Sequence, residues 1–160
     1  MAIFERITTD LPNIHAHVFA EGPLFARMKV QMERQQIRNL SFHGFVPEAD
    51  LCGLSECSDV QLVPQAPGTE HGSMPSKLPN ILFSGKAILA ICDSRSELAQ
   101  MVTRFQAGEC VDSWESDTVS SALARLTERG TDAVAAVRDR AEIHRLFSVN
   151  SVVSAILEHE

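Results

Sequence analysis

The sequence lacks a long apolar run, an excess of basic residues and any CxxC pair. No apolar stretch approaches the ~20 residues that a membrane-spanning helix requires. The 14 basic residues are outnumbered by 21 acidic ones, which gives a formal net charge of −7, whereas nucleic-acid-binding proteins usually carry a basic excess. These absences argue against a transmembrane segment and against a nucleic-acid partner.

The chain also starts without the features of an export signal. MAIFERITTD has neither a basic region nor an apolar core, so we expect a cytoplasmic protein, and peripheral contact with a membrane stays open. In that reducing compartment the cysteines are expected to be small buried apolar residues rather than disulfide partners or metal ligands. They are Cys52, Cys57, Cys92 and Cys110.

Strand and helix patterns alternate along most of the 160 residues, whose composition is that of one ordinary globular domain. Because helix-length segments separate the strands, right-handed βαβ crossovers are expected. We therefore predict an α/β fold over 1–160, a single Rossmann-like domain with a doubly wound parallel sheet of about five strands. The predicted strands are 13–20, 39–43, 59–64, 87–91 and 109–111.

Apolar stripes with helical spacing fill the segments between the strands. The predicted helices are 23–36, from Pro47 to about residue 58, 77–84 and 95–105. Three further stripes predict a helical C-terminus, around 119–126, 134–141 and 152–157. Residues 1–11 resemble the end of a helix that would follow an earlier strand, so the domain is predicted to be incomplete at its N-terminal edge, with an open sheet edge.

The segment 71–90 carries the strongest local signal for function. A loop rich in Gly, Ser and Pro runs into a short helix and then, through Ser84-Gly85-Lys86, into an apolar strand. Such a loop at a helix N-terminus directs backbone N–H groups and the positive end of the helix dipole at a ligand, and phosphate suits both. In a parallel sheet this is also where ligands bind. The pattern suggests a nucleotide-diphosphate site, and a plain surface loop stays open as the alternative.

Four motifs follow one another in an order known from one enzyme family. They are 17–23, a strand ending in a Gly-containing turn; 40–47, LSFHGFVP; 57–64, CSDVQLVP; and 73–78, SMPSKL, followed by SGKA at 84–87. Together they resemble the C-terminal, donor-binding half of GT-B glycosyltransferases of the large family-4 type (glycosyl transferases group 1). The resemblance covers nearly the whole chain.

The resemblance implies that a nucleotide-sugar donor binds at the carboxyl edge of the sheet. The residues expected to bind its diphosphate and sugar are Gly72, Ser73, Met74, Ser76 and Lys77, mostly through amides that Pro75 lacks. Asn80 stands at the ribose position, where the family often has Glu, and the base is expected near Gly44, Phe45 and Val46. No metal is expected, because these enzymes typically need none and the chain has no DxD motif. The nucleotide sugar is a substrate, so no cofactor is implied.

The chain departs from this family in what it omits. The acceptor-binding half is absent, and so is the basic Arg/Lys pair that neutralises the leaving diphosphate. The resemblance thus implies a glycosyltransferase fragment that binds donor but transfers no sugar alone, with a separate N-terminal half as an expected partner. The catalytic residues stay unassigned.

Three other interpretations compete with the glycosyltransferase one. His15, His17 and His43 lie on predicted neighbouring strands and invite a metal site, although no Asp or Cys partner has the required spacing. A non-catalytic module that docks onto another chain is the main alternative function, because of the open sheet edge. A dinucleotide-binding enzyme is disfavoured because 20–23, AEGP, does not make a GxGxxG turn.

Overall fold

The computed structural model describes residues 2–68, 74–129 and 140–148. The helices are α1 (Ala2–Asp10), α2 (Pro23–Gln35), α3 (Leu51–Glu56), α4 (Leu78–Ser84), α5 (Glu97–Arg104), α6 (Ser116–Glu128) and α7 (Arg140–Phe147). The strands are β1 (Ala16–Phe19), β2 (Leu40–His43), β3 (Val60–Pro64), β4 (Ala87–Ile91) and β5 (Gly108–Val111). A short 3-10 turn, Glu48–Asp50, precedes α3.

The five strands are all parallel to their neighbours and are joined by helices, which confirms the predicted α/β class. They are divided between two sheets among the described residues, however, rather than forming one. β1 pairs with β2, and the second sheet has the order β3-β4-β5. The sequence pattern predicts each strand and each crossover separately. It does not show which strands form hydrogen bonds with each other.

The central strand β4 organises the larger sheet. Its five residues, AILAI, are all buried, as expected for a parallel strand that is covered on both faces. Helices α4, α5 and α6 add further buried residues, and α1 and α7 each contribute one isoleucine, Ile7 and Ile143. The main hydrophobic core of the described residues therefore surrounds β3, β4 and β5.

Two helix ends show how local sequence sets this arrangement. The Ser96 side chain accepts a hydrogen bond from the Ala99 amide at 3.1 Å and so caps the start of α5. Helix α4 ends at Gly85, whose φ of 68° is left-handed and is readily adopted by glycine. The predicted stripe at 119–126 lies in α6. Most of the stripe at 134–141 and all of that at 152–157 lie outside the described residues.

The β1-α2-β2 unit is buried much less than the larger sheet. No residue of α2 is buried, and within the two strands only Leu40 is. Most of the exposed large apolar side chains of the described residues lie in this unit or just after it: Phe19, Leu24, Val30, Phe45 and Leu51. A parallel two-stranded sheet with so little cover contrasts with the larger sheet, whose central strand is buried along its whole length.

Among the described helices, none combines the length and the apolar character needed to cross a membrane.

Candidate functional site

The candidate site is the edge of the sheets where the parallel strands end, which we call the carboxyl rim. The residues that follow each strand along this rim include Glu21 and Gly44 in the smaller sheet and Gln65, Asp93 and Asp112 in the larger one. In open α/β sheets ligands bind outside the carboxyl ends of the strands. The loop from Gln65 to Lys77, which connects β3 to α4, starts from this rim.

The predicted diphosphate residues lie in the second half of that loop. Gly72 and Ser73 are outside the described residues. The Met74 side chain packs against the hydrophobic core, while Ser76 and Lys77 are exposed. The Leu78 amide donates to the Pro75 carbonyl at 2.9 Å, so Pro75–Leu78 is a turn that leads directly into α4.

Ser76 and Lys77 retain backbone donors at the start of α4. Neither amide donates to another residue in the described part of the chain. Helix α4 begins at Leu78 although Pro79 is its second residue, because proline is tolerated in the first turn, where its missing N–H costs no helical hydrogen bond. The amides of Ser76 and Lys77 thus lie directly ahead of the first turn of α4.

The Lys77 ammonium is partly withdrawn from water although the residue as a whole is exposed. This desolvation lowers the pKa of Lys77 below the usual lysine value. A cation that has lost part of its hydration gains more from an anionic ligand than a fully solvated one does.

The predicted ribose residue, Asn80, is exposed and lies in the first turn of α4, three residues after Lys77. The predicted base residues follow β2 in the smaller sheet. Phe45 is 77% exposed, and its amide donates to Glu21 Oε1 at 3.2 Å. Glu21 thus ties the ends of β1 and β2 together and already occupies one backbone group that the resemblance assigns to the base.

A row of aromatic rings covers the exposed face of the smaller sheet. His17 Nδ1 lies 2.9 Å from His43 Nε2, and the Phe19 ring stacks on His43 at a centroid distance of 4.5 Å. His15 Nε2 is 2.7 Å from Ser41 Oγ. Desolvation, reinforced by the nearby His15 and His43 rings, lowers the pKa of His17. The neutral form of the His17 imidazole is therefore favoured.

The histidine row does not make a metal centre in this arrangement. No group of three or more His, Cys, Asp or Glu side chains within residues 2–68, 74–129 and 140–148 is placed to hold a metal ion. His17 Nδ1 and His43 Nε2 face each other, so a metal shared by these two rings would require them to turn.

An ion pair at the carboxyl rim, between Asp93 and Arg95, was not predicted from the sequence. Asp93 follows β4 and accepts hydrogen bonds from the Arg95 amide at 2.8 Å and from its guanidinium at 3.1 Å. The Arg95 side chain remains 75% exposed, so it adds a cation to the rim on the side of α5. The sequence feature that could have indicated this ion pair is Asp-x-Arg directly after a buried strand. The same feature is also typical of an ordinary turn.

Two cysteines lie on adjacent strands under this rim. Cys92 directly follows β4 and is buried, and Cys110 in β5 pairs in register with Ala90. Because side chains alternate along a strand, Cys92 and Cys110 are on the same face of the sheet. Burial, and to a smaller extent the neighbouring Cys92, raise the pKa of the Cys110 thiol to about 12.

We expect Cys110 to be unreactive in the folded chain. At pH 8 a thiol of pKa near 8.5 is about one quarter thiolate, whereas one of pKa about 12 is ~0.01% thiolate. In a thiol-labelling experiment the exposed Cys52 and Cys57 should react first and the other two only after denaturation. Rapid labelling of Cys110 in the native chain would contradict this environment.

The raised pKa of Cys110 also makes the folding stability of the chain depend on pH. The unfolded thiol ionises near its ordinary pKa of about 8.5, while the pKa of the folded thiol is about 12, so folding stability is lost as the pH rises between these values. Cys110→Ala should flatten that part of the stability curve, measured by urea unfolding at several pH values.

Neither a protein-family model nor a curated protein sequence matches this chain. The functional argument therefore depends on the rim geometry and on the motif resemblance.

Proposed function

We propose that the chain provides the donor-binding half of a glycosyltransferase active site and binds a nucleotide sugar through its diphosphate. The observation that carries this proposal is the start of α4. There, two exposed residues with amides unpaired among the described residues, Ser76 and Lys77, stand at the end of the loop from the carboxyl rim, and one of them bears a partly desolvated ammonium. The order of the sequence motifs supports a sugar-nucleotide over other phosphates.

In this proposal each group has a separate role. The Ser76 and Lys77 amides and the Lys77 ammonium hold the diphosphate oxygens. Gly72, Ser73 and Met74 complete the loop around the diphosphate and the sugar. Asn80 contacts the ribose hydroxyls, as an amide can both donate and accept, and Gly44, Phe45 and Val46 border the base. Transfer to an acceptor would need the second half of the active site.

We expect Lys77→Ala to weaken donor binding roughly tenfold or more, because a hydrogen bond to a charged group is worth about 1.5–3 kcal/mol. The measurement is calorimetry or saturation-transfer NMR against UDP-, GDP- and ADP-sugars. Lys86→Ala is the matched control. Lys86 directly precedes β4 and so lies at the opposite edge of the sheet, and its removal should leave the affinity unchanged. A folded wild-type chain that binds none of these donors would overturn the proposal.

A second function, docking onto another chain, is favoured by the exposed apolar residues of the β1-α2-β2 unit. Phe19, Leu24 and Val30 of this unit are exposed, and the exposed Phe45 and Leu51 follow it along the chain. Docking is compatible with diphosphate binding at the start of α4, which lies outside the β1-α2-β2 unit, whereas Phe45 belongs both to these apolar residues and to the predicted base residues.

A further inference from the structure

Helix α2 packs on the smaller sheet through one side only. Phe25, Met28 and Met32 are half-buried, whereas the other residues of the helix are exposed. The Phe25 ring meets the Phe42 ring of β2 edge-on at a centroid distance of 5.2 Å. This contact identifies the inward side of α2, and the opposite side is uncovered in the described part of the chain.

The outward side of α2 combines basic and apolar side chains. An α-helix turns once every 3.6 residues, so Arg27, Val30 and Arg34 lie opposite the inward residues. All three are exposed, as is Leu24, which lies within one turn of Arg27. We call Leu24, Arg27, Val30 and Arg34 the outer face of α2.

The charge of this segment has the opposite sign to that of the chain. Residues 23–38 contain four basic residues and one acidic residue, Glu33, which gives +3, while the whole chain carries −7. The basic residues are Arg27, Lys29, Arg34 and Arg38. A local excess of one charge attracts the opposite charge, and beyond ~8 Å the acidic remainder of the chain is largely screened at physiological salt.

These four basic residues have no carboxylate partner among residues 2–68, 74–129 and 140–148. By contrast, each arginine within α1, α5 and α6 forms an ion pair, namely Arg6, Arg104 and Arg125. The positive charge of α2 is therefore not neutralised internally, and it is available to an external anion.

The carboxylates at the two ends of α2 bind uncharged groups instead. Glu21, just before the helix, accepts from the Phe45 amide. Glu5 of α1 accepts from the side chain of Gln35, the last residue of α2. Neither carboxylate pairs with an arginine of the outer face.

We propose that the outer face of α2 binds the surface of a membrane that contains anionic lipids. The guanidinium groups of Arg27 and Arg34 bind lipid phosphates, and Leu24 and Val30 contact the apolar layer beneath the headgroups. A fluid lipid surface adapts to a convex helix, whereas a protein partner needs a complementary surface of its own. This inference does not depend on donor binding.

The test is sedimentation of the full chain with lipid vesicles. We expect binding to vesicles of equal parts phosphatidylcholine and phosphatidylglycerol, and none to vesicles of phosphatidylcholine alone. Raising the salt concentration from about 0.05 to about 0.5 M should release the chain, because screening shortens the range of the attraction. Equal binding to both kinds of vesicle, or binding to neither, would rule out the proposal.

Arg27→Gln combined with Arg34→Gln should lower the partition coefficient about twentyfold, since each basic side chain near an anionic surface contributes roughly a factor of five. Glu33→Gln should raise it, by up to about fivefold. The matched control is Lys86→Gln combined with Arg140→Gln, which removes the same charge outside the β1-α2-β2 unit and should leave binding nearly unchanged. Equal losses in the two double variants would show that net charge, and not the outer face of α2, sets the binding.

An acidic protein is the other occupant that the charge of α2 would suit. Poly-glutamate is the probe for it, and a chain that binds poly-glutamate but not the anionic vesicles would contradict the membrane proposal. The vesicle test is also separate from the nucleotide. The arginine double variant should bind sugar-nucleotides like the wild type, and a chain that ignores vesicles can still bind donor at the start of α4.

Discussion

Gly108→Ala should remove most of the folding stability of the chain. An alanine Cβ at this position would lie 1.9 Å from the Ile88 carbonyl oxygen and 2.7 Å from the Ile88 nitrogen and carbonyl carbon. These are backbone atoms of the central strand, so the clash is relieved only by moving β5 away from β4. Overpacking usually costs about 1–3 kcal/mol and more where the backbone must shift. We expect at least ~3 kcal/mol, measured by urea unfolding followed by circular dichroism.

Gly53→Ala is the matched control. Gly53 lies within α3, and a Cβ added there meets no atom within 4 Å. Because alanine is a better helix former, this substitution should raise the free energy of unfolding by about 0.5–1 kcal/mol. Similar free energies of unfolding for the two variants would contradict the close approach of β5 to β4 at Gly108.

Leu89→Ala should have the second largest effect. Leu89 is the middle residue of β4 and is fully buried, and replacing a buried leucine by alanine removes apolar contacts and leaves a cavity. We expect a loss of about 2–5 kcal/mol in the free energy of unfolding, with the midpoint moving to lower urea concentration.

The control for Leu89 is a leucine of the less buried unit. Leu24 in α2 is 68% exposed, so Leu24→Ala should change the free energy of unfolding by no more than about 0.5 kcal/mol. A large loss for Leu24→Ala would mean that the β1-α2-β2 unit is covered in solution, for instance by a second copy.

The sequence predicted the larger sheet well because its signals are local. The run AILAI has no polar residue and follows a left-handed glycine, so β4 was predicted with its observed bounds. Strand β1 was predicted from 13 to 20 but extends only from Ala16 to Phe19. Its first residues pair differently, since the Ile14 carbonyl accepts from the Asn39 side chain at 2.8 Å. The alternation of residues along a strand does not predict such a side-chain hydrogen bond.

The candidate site was predictable only in part. Gly, Ser and Pro before an apolar helix indicated where Ser76 and Lys77 would lie, because that pattern depends on neighbours in sequence. The bond from the Phe45 amide to Glu21 joins residues 24 apart, and the separation of the two sheets depends on still longer-range contacts. Neither follows from any local pattern, and both change what the smaller sheet offers to a ligand.

Trp114 follows β5 at the carboxyl rim and is 46% exposed. It is the only tryptophan of a chain that has no tyrosine, so the intrinsic ultraviolet fluorescence comes almost entirely from one indole. Its emission wavelength therefore reports the local polarity near the ends of β4 and β5. Titrations of sugar-nucleotides can be followed through this natural fluorophore without attaching a dye.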